Sequence, residues 1–185
     1  MNKTRRTFAA LVTLLMAVVP VVALTGSASA TTSCEYLWGS LPKTAGTLSP
    51  APIIASRTGR HDCYDSLVFE IDGPATGYLV EYAGEVYSEG QGLPLSSQAG
   101  PYGSLIGIHL RNPAYNIYGQ STYTFTRPNL AGYQTFRGLA YGGSFEGYTT
   151  FALGVRARLP FQVLVLPGPG THTRIVVNVA HIWQY

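Results

Sequence analysis

Apolar and polar side chains alternate with period two in segment after segment of this chain, and Gly, Pro and Asn separate the segments. Successive side chains of a strand point to opposite faces, so such a pattern buries one clean face only when the backbone is extended. Leu67, Phe69 and Ile71 share one parity, with Ser66, Val68, Glu70 and Asp72 on the other. Tyr78, Val80 and Tyr82 repeat the pattern, then Ile106, Ile108 and Leu110, then Tyr123 and Phe125 between threonines. The longest run, Thr149 to Leu159, sets Phe151, Leu153, Val155, Ala157 and Leu159 against Ala152, Gly154, Arg156 and Arg158. Phe161, Val163 and Val165 lead through a Pro-Gly-Pro-Gly turn at 167–170 to Ile175, Val177 and Val179, which predicts a hairpin with a longer loop. A slip of one residue would expose each apolar set, so register is strongly specified. No window sustains helical spacing beyond one or two turns. The expected fold is all-β: a single antiparallel β-sandwich or small barrel of about eight strands.

The N-terminus reads as an export signal. Lys3, Arg5 and Arg6 precede an apolar run from Phe8 to Leu24, and Ala28-Ser29-Ala30 supplies a small-x-small cleavage pattern. Residues 1–30 are therefore expected to be removed after Ala30, leaving no stable membrane span. Thr4-Arg5-Arg6-Thr7-Phe8 also resembles a twin-arginine signal, so both export routes stay open. Thr31, Thr32 and Ser33 before Cys34 make no lipobox. The predicted organisation is a signal at 1–30, a Pro/Ser-rich arm at 31–56 and a β domain at 57–185. The chain has 12 Lys+Arg and 9 Asp+Glu. Without Lys3, Arg5 and Arg6 the two signs balance, so the exported part carries no electrostatic footprint for nucleic acid.

Cys34 and Cys63 are the 2 cysteines. In an oxidising compartment they have one possible pairing, which would pin the arm to the domain and stabilise it by roughly 3–4 kcal/mol. The competing role, a reactive thiol at Cys63, would draw on His61 and Asp62 beside it.

Signals for standard chemistry are missing. There is no G-x-S-x-G elbow, no phosphate loop with lysine, no H-x-x-x-H and no C-x-x-C, so neither a metal nor a cofactor is expected. The cluster Arg57 to Asp65 has two readings. Arg57, His61 and Asp65 offer donors and acceptors for a binding rim. Alternatively the charges satisfy one another, Asp65 or Glu70 pairing with Arg156 or Arg158. His181 keeps the inward parity of Val177 and Val179 and reads as a hydrogen-bonded core histidine. Catalysis would need His61 or His181 within hydrogen-bond reach of a carboxylate. Tyr102, Tyr115, Tyr118, Tyr133 and Tyr148 sit in loop-like surroundings among 13 tyrosines. Exposed, such rings suit sugars or a protein partner; their commoner role is to cap a core edge.

Arg57-x-Gly59-x-His61-x-x-Tyr64-Asp65-x-Leu67-Val68-Phe69-Glu70-x-Asp72-Gly73-Pro74, followed by Gly77-Tyr78-x-Val80-x-Tyr82, resembles the opening of the bacterial AMIN-like domain. Gly143 to Arg156, Leu159-Pro160-Phe161 and Val177-x-Val179-Ala180-His181 resemble its middle and end, so the similarity spans about residues 57–182. It implies a secreted or envelope-attached β domain, related to non-catalytic modules that target proteins to the envelope. Two departures stand out: the signal lacks the lipobox common in the family, and Ser66 follows Tyr64-Asp65 where arginine is usual. The resemblance brings no catalytic residues. The expected function is thus a non-enzymatic envelope module recognising cell-wall glycan or peptidoglycan through the tyrosines Tyr102, Tyr115, Tyr118 and Tyr148 and the Arg57–Asp65 rim. The alternatives are a structural or protein-interaction domain with an envelope protein as partner, and, third, a hydrolase.

Overall fold

The alternating segments become strands, and their apolar parities meet in one core. The computed structural model describes Cys34 and residues 37–183; the export signal read at 1–30 lies outside them. Among the described residues the strands are β1 (Lys43–Ala45), β2 (Ile53–Arg60), β3 (Tyr64–Ile71), β4 (Tyr78–Ala83), β5 (Ser104–Leu110), β6 (Phe136–Phe145), β7 (Tyr148–Val155), β8 (Phe161–Pro167) and β9 (Thr173–Ala180). A 5-stranded sheet in the order β1-β4-β5-β7-β6 packs on a 4-stranded sheet in the order β2-β3-β9-β8. Every neighbouring pair is antiparallel. The result is a sandwich, not a closed barrel.

Leu67, Phe69 and Ile71 of β3 and Ile175, Val177 and Val179 of β9 are buried against Ile106, Ile108 and Leu110 of β5 and Phe151, Leu153 and Val155 of β7. Phe69 and Phe151 meet across the interface with ring centroids 4.7 Å apart. Burying one such side chain contributes roughly 1.5–3 kcal/mol, so the period-two faces carry most of the stability. A second, smaller cluster lies on the outer face of the larger sheet. There Val86, Leu95 and Ala99, from the 84–103 excursion between β4 and β5, cover Leu105, Ala140 and Ala152. Glycine makes this possible. A Cβ on Gly138 or on Gly154, which face each other in the β6–β7 ladder, would stand 2.1 Å from the Ala99 carbonyl oxygen. Glu85 holds the excursion down, accepting from the Ser96 hydroxyl and from the Val86 and Ser96 amides.

The structure departs from the period-two reading in three places. Tyr123 and Phe125 belong to no strand. Their segment closes the side of the sandwich whose edges are β2 and β6. Tyr123 sets its ring against Tyr141 and Phe151 and its hydroxyl on Ser56, while Tyr133 bonds Thr58 and stacks on Phe136. The run from Thr149 stops at Val155, because Arg156 turns to the Thr135 and His181 carbonyls as the chain crosses to the second sheet. Leu159 is nonetheless buried. Finally, the 31–56 segment contains β1 and the start of β2. The Cys34–Cys63 disulfide is formed, and Trp38 packs edge-on against Tyr64 beside it.

Candidate functional site

The fold gathers three of the five singled-out tyrosines at one end and leaves Tyr102 and Tyr133 elsewhere. In the 115–121 loop Tyr115 bridges Ser121, and the Asn116 side-chain oxygen accepts from the Tyr118 and Gln120 amides. This bracing projects Ile117 and Tyr118 into solvent at 85% and 80% exposure. The Tyr115 hydroxyl accepts from the Gly147 amide at 2.9 Å, which ties the loop to the β6–β7 hairpin and so to Tyr148. That hairpin turns through Glu146 and Gly147 with φ of 49° and 82°, between the paired residues Phe145 and Tyr148. Two positive φ values make a type I′ turn, which suits Asn-Gly far better than Glu-Gly. Glu146 is the one non-glycine residue described with positive φ.

Loop, hairpin and arm enclose a cleft of about 370 Å³. Leu48, Pro50, Pro113 and Ile117 give it apolar walls, with Tyr115 and Glu146 at the lip. A second hollow beyond Leu48 is bordered by His109, Arg111 and Tyr148. Arg111 spends its guanidinium on the Ala45 and Gly46 carbonyls and the Thr44 hydroxyl, holding the arm in place. His109 begins a relay. The Thr150 hydroxyl donates to Glu89 at 2.6 Å, so it accepts from His109 Nδ1 at 2.8 Å. Burial pushes the His109 imidazole below its ordinary range, against a smaller opposing pull from Glu89 and Glu81. Tyr102 lies apart, packed with the 84–103 excursion.

Of the Arg57–Asp65 rim, His61 and Asp65 border one hollow together with His181, whereas Arg57 is drawn away from it by Glu70. Arg57 donates to Glu70 at 2.9 Å on the outer face of the smaller sheet. Glu70 also bonds His172, and these two hydrogen bonds hold its carboxyl below the usual carboxylate range. His61 is exposed and stacks on Tyr64 with centroids 4.4 Å apart. Asp65 is buried: one carboxylate oxygen accepts from the Thr135 and Phe136 amides at 2.7 and 3.0 Å, the other from His181 Nε2 at 3.1 Å. His181 Nδ1 faces the Asp62 carbonyl, so both ring nitrogens are committed to protein oxygens.

The expected pairing of Asp65 or Glu70 with Arg156 or Arg158 does not form. Asp65 takes His181, and Glu70 takes Arg57, His172 and, at 3.8 Å, Arg174. Arg156 bonds the His181 carbonyl, and Arg158 bonds Ser40 and lies over the Tyr82 ring. The physical reason is register. Arg174 sits opposite Glu70 on β9, whereas Arg156 and Arg158 lie in the crossover between sheets. Sequence reading missed His109, Glu146, Leu48 and Ile117. Only Glu146 left a local trace, as the residue before Gly147 between two alternating runs.

The fold and its ends therefore define a disulfide-pinned, two-sheet β module, with an exposed aromatic end and a buried acid–histidine clamp. A family model described as AMIN-like domain matches residues 51–181, and the chain belongs to that family. AMIN-like domains are associated with the cell envelope, and among the described residues no helix is long and apolar enough to cross a membrane. No curated protein and no solved structure matches the chain.

Proposed function

We propose that the protein is an exported, non-catalytic envelope module that binds cell-wall glycan or peptidoglycan at the end formed by Tyr115, Tyr118 and Tyr148. One observation carries this reading. Tyr115 lines an apolar cleft, and Tyr118 and Tyr148 directly follow its lining residues Ile117 and Gly147, on a loop and hairpin braced to each other through the Tyr115 hydroxyl. A flat apolar face with a polar tip matches a sugar ring, and pre-bracing lowers the ordering cost of binding. Export agrees with the formed disulfide, which persists in oxidising compartments. The absence of a catalytic role is supported by the Asp65–His181 pair, whose polar atoms are all engaged within the protein.

The test is retention on purified cell wall. Tyr118→Ala and Tyr148→Ala are expected to cut retention about tenfold or more, in the range of an interface anchor, while Arg57→Ala leaves it unchanged. No retention of the native protein at any salt concentration sinks the proposal.

A further inference from the structure

Each sheet of a sandwich has two edges, and an unpaired edge is a template for another strand unless something blunts it. In the larger sheet β1 is only 3 residues long and carries Lys43. At β6 the Gly142 and Leu139 carbonyls accept from Glu89 and Arg127. In the smaller sheet β2 is bridged by Thr122, Tyr123 and Tyr133. β8 is different. It reads Phe-Gln-Val-Leu-Val-Leu-Pro, carries no charge, and pairs with β9 without a bulge.

The directions of its backbone groups follow from two hydrogen bonds. The Pro160 carbonyl accepts from Ala180, so even-numbered residues turn toward β9. Phe161 N–H donates to the Gly39 carbonyl, away from β9, so odd-numbered residues turn outward. Beyond Phe161, the N–H and C=O of Val163 and Val165 therefore point off the sheet, and among the described residues no group bonds them. Val165 and Leu166 are 38% and 42% exposed, and Leu37 and Leu41, on the arm segment that reaches Phe161 through Gly39, are 105% and 73% exposed.

We infer that β8 is the contact of a two-fold dimer, in which two copies pair their β8 strands antiparallel with Val163 opposite Val165 of the partner subunit. This register gives partners to the N–H and C=O of both valines, and leaves open only the outward carbonyls of Phe161 and Pro167. The same register sets Phe161 opposite Pro167 of the partner subunit. Phe161 has already spent its N–H on Gly39, and proline has none, so the position without donors on one chain meets the position without donors on the other. Shifting the centre to Val163 or Val165 makes the same number of ladder bonds but leaves a valine carbonyl open on each side. An uncharged strand also meets its own copy without like charges placed opposite. Leu164 and Leu166 continue an apolar strip across the joint. The joined sheet would run through eight strands, four from each copy.

The inference does not depend on the tyrosine cleft. It is tested by sedimentation of protein expressed from the full-length sequence with its disulfide intact, together with amide hydrogen exchange. The native protein is expected to dimerise reversibly, with Val163 and Val165 amides exchanging at least about tenfold more slowly when concentrated than when dilute, as stable pairing of an open edge requires. Leu166→Lys, which puts a charge on the joint, should weaken the dimer about tenfold or more. Val165→Pro, which deletes an outward N–H, should yield a monomer with unchanged near-ultraviolet circular dichroism. A native protein that stays monomeric to roughly 1 mM, weaker than any specific complex of this kind, overturns the inference. So does a dimer indifferent to Leu166→Lys, or protection of Val163 and Val165 that appears only on adding cell wall, which would assign the edge to an envelope partner.

Discussion

Replacing Asp65 with alanine is expected to destabilise the domain by about 4 kcal/mol. The side chain is fully buried and satisfies three donors: the Thr135 amide, the Phe136 amide and His181 Nε2. A hydrogen bond to a charged group contributes about 1.5–3 kcal/mol net, and breaking a buried ion pair by deleting one partner costs about 3–5 kcal/mol. The three bonds share one carboxylate and do not add, so the total falls near the single-pair figure. For a domain of about 150 residues, roughly 2–4 °C of Tm accompanies each kcal/mol, which predicts a fall of about 8–16 °C. Urea titration and thermal melts, both with the disulfide intact, measure it. Asp65→Asn should fall about half as far, because the amide oxygen still accepts from the two backbone amides. His181→Ala added to Asp65→Ala should cost much less than the sum of the two. A loss below about 1 kcal/mol for Asp65→Ala would refute the clamp, because a group held by three donors cannot be removed that lightly. Such a result would free Asp65 and His181 for a role at the hollow they border.

Three further outcomes follow from the geometry. Gly154→Ala places a methyl 2.1 Å from the Ala99 carbonyl oxygen, so it should displace the 84–103 excursion and cost about 3 kcal/mol or more, visible as early amide exchange at Leu95 and Ala99. Glu146→Gly removes a side chain from a left-handed position and should raise stability by about 0.5–1 kcal/mol; a simultaneous drop in cell-wall retention would show that the residue is kept for binding. Because burial lowers the His109 pKa, the folded protein binds fewer protons than the unfolded chain just below the ordinary histidine value of about 6.5. Stability from this group is fully present above that pH and declines as pH falls toward the lowered value. His109→Gln should flatten the urea midpoint across that window, whereas an unchanged slope would show that His109 is not the group responsible.

Local pattern alone determines much of this protein. Side-chain parity in an extended chain is set by the backbone, so Leu67, Phe69 and Ile71 or Ile175, Val177 and Val179 announce a buried face before any partner strand is known. Two cysteines have one way to pair, and the reading of residues 1–30 as an export signal likewise rests on local pattern. Tertiary structure decided what depends on distant neighbours. β6 escaped notice because its outer face is small residues and glycine, chosen to admit the Ala99 backbone and not to bury side chains of its own. Tyr123 and Phe125 alternate like a strand, yet serve as a plug between two sheet edges. Asp65 has His181 as its partner rather than an arginine because β3 and β9 lie side by side, a pairing of residues 116 apart in the chain. The cleft beside Tyr115, Tyr118 and Tyr148, and the bare edge of β8, likewise exist only once loops and strands from remote segments are brought together. Parity is encoded residue by residue, whereas adjacency is a property of the packed whole.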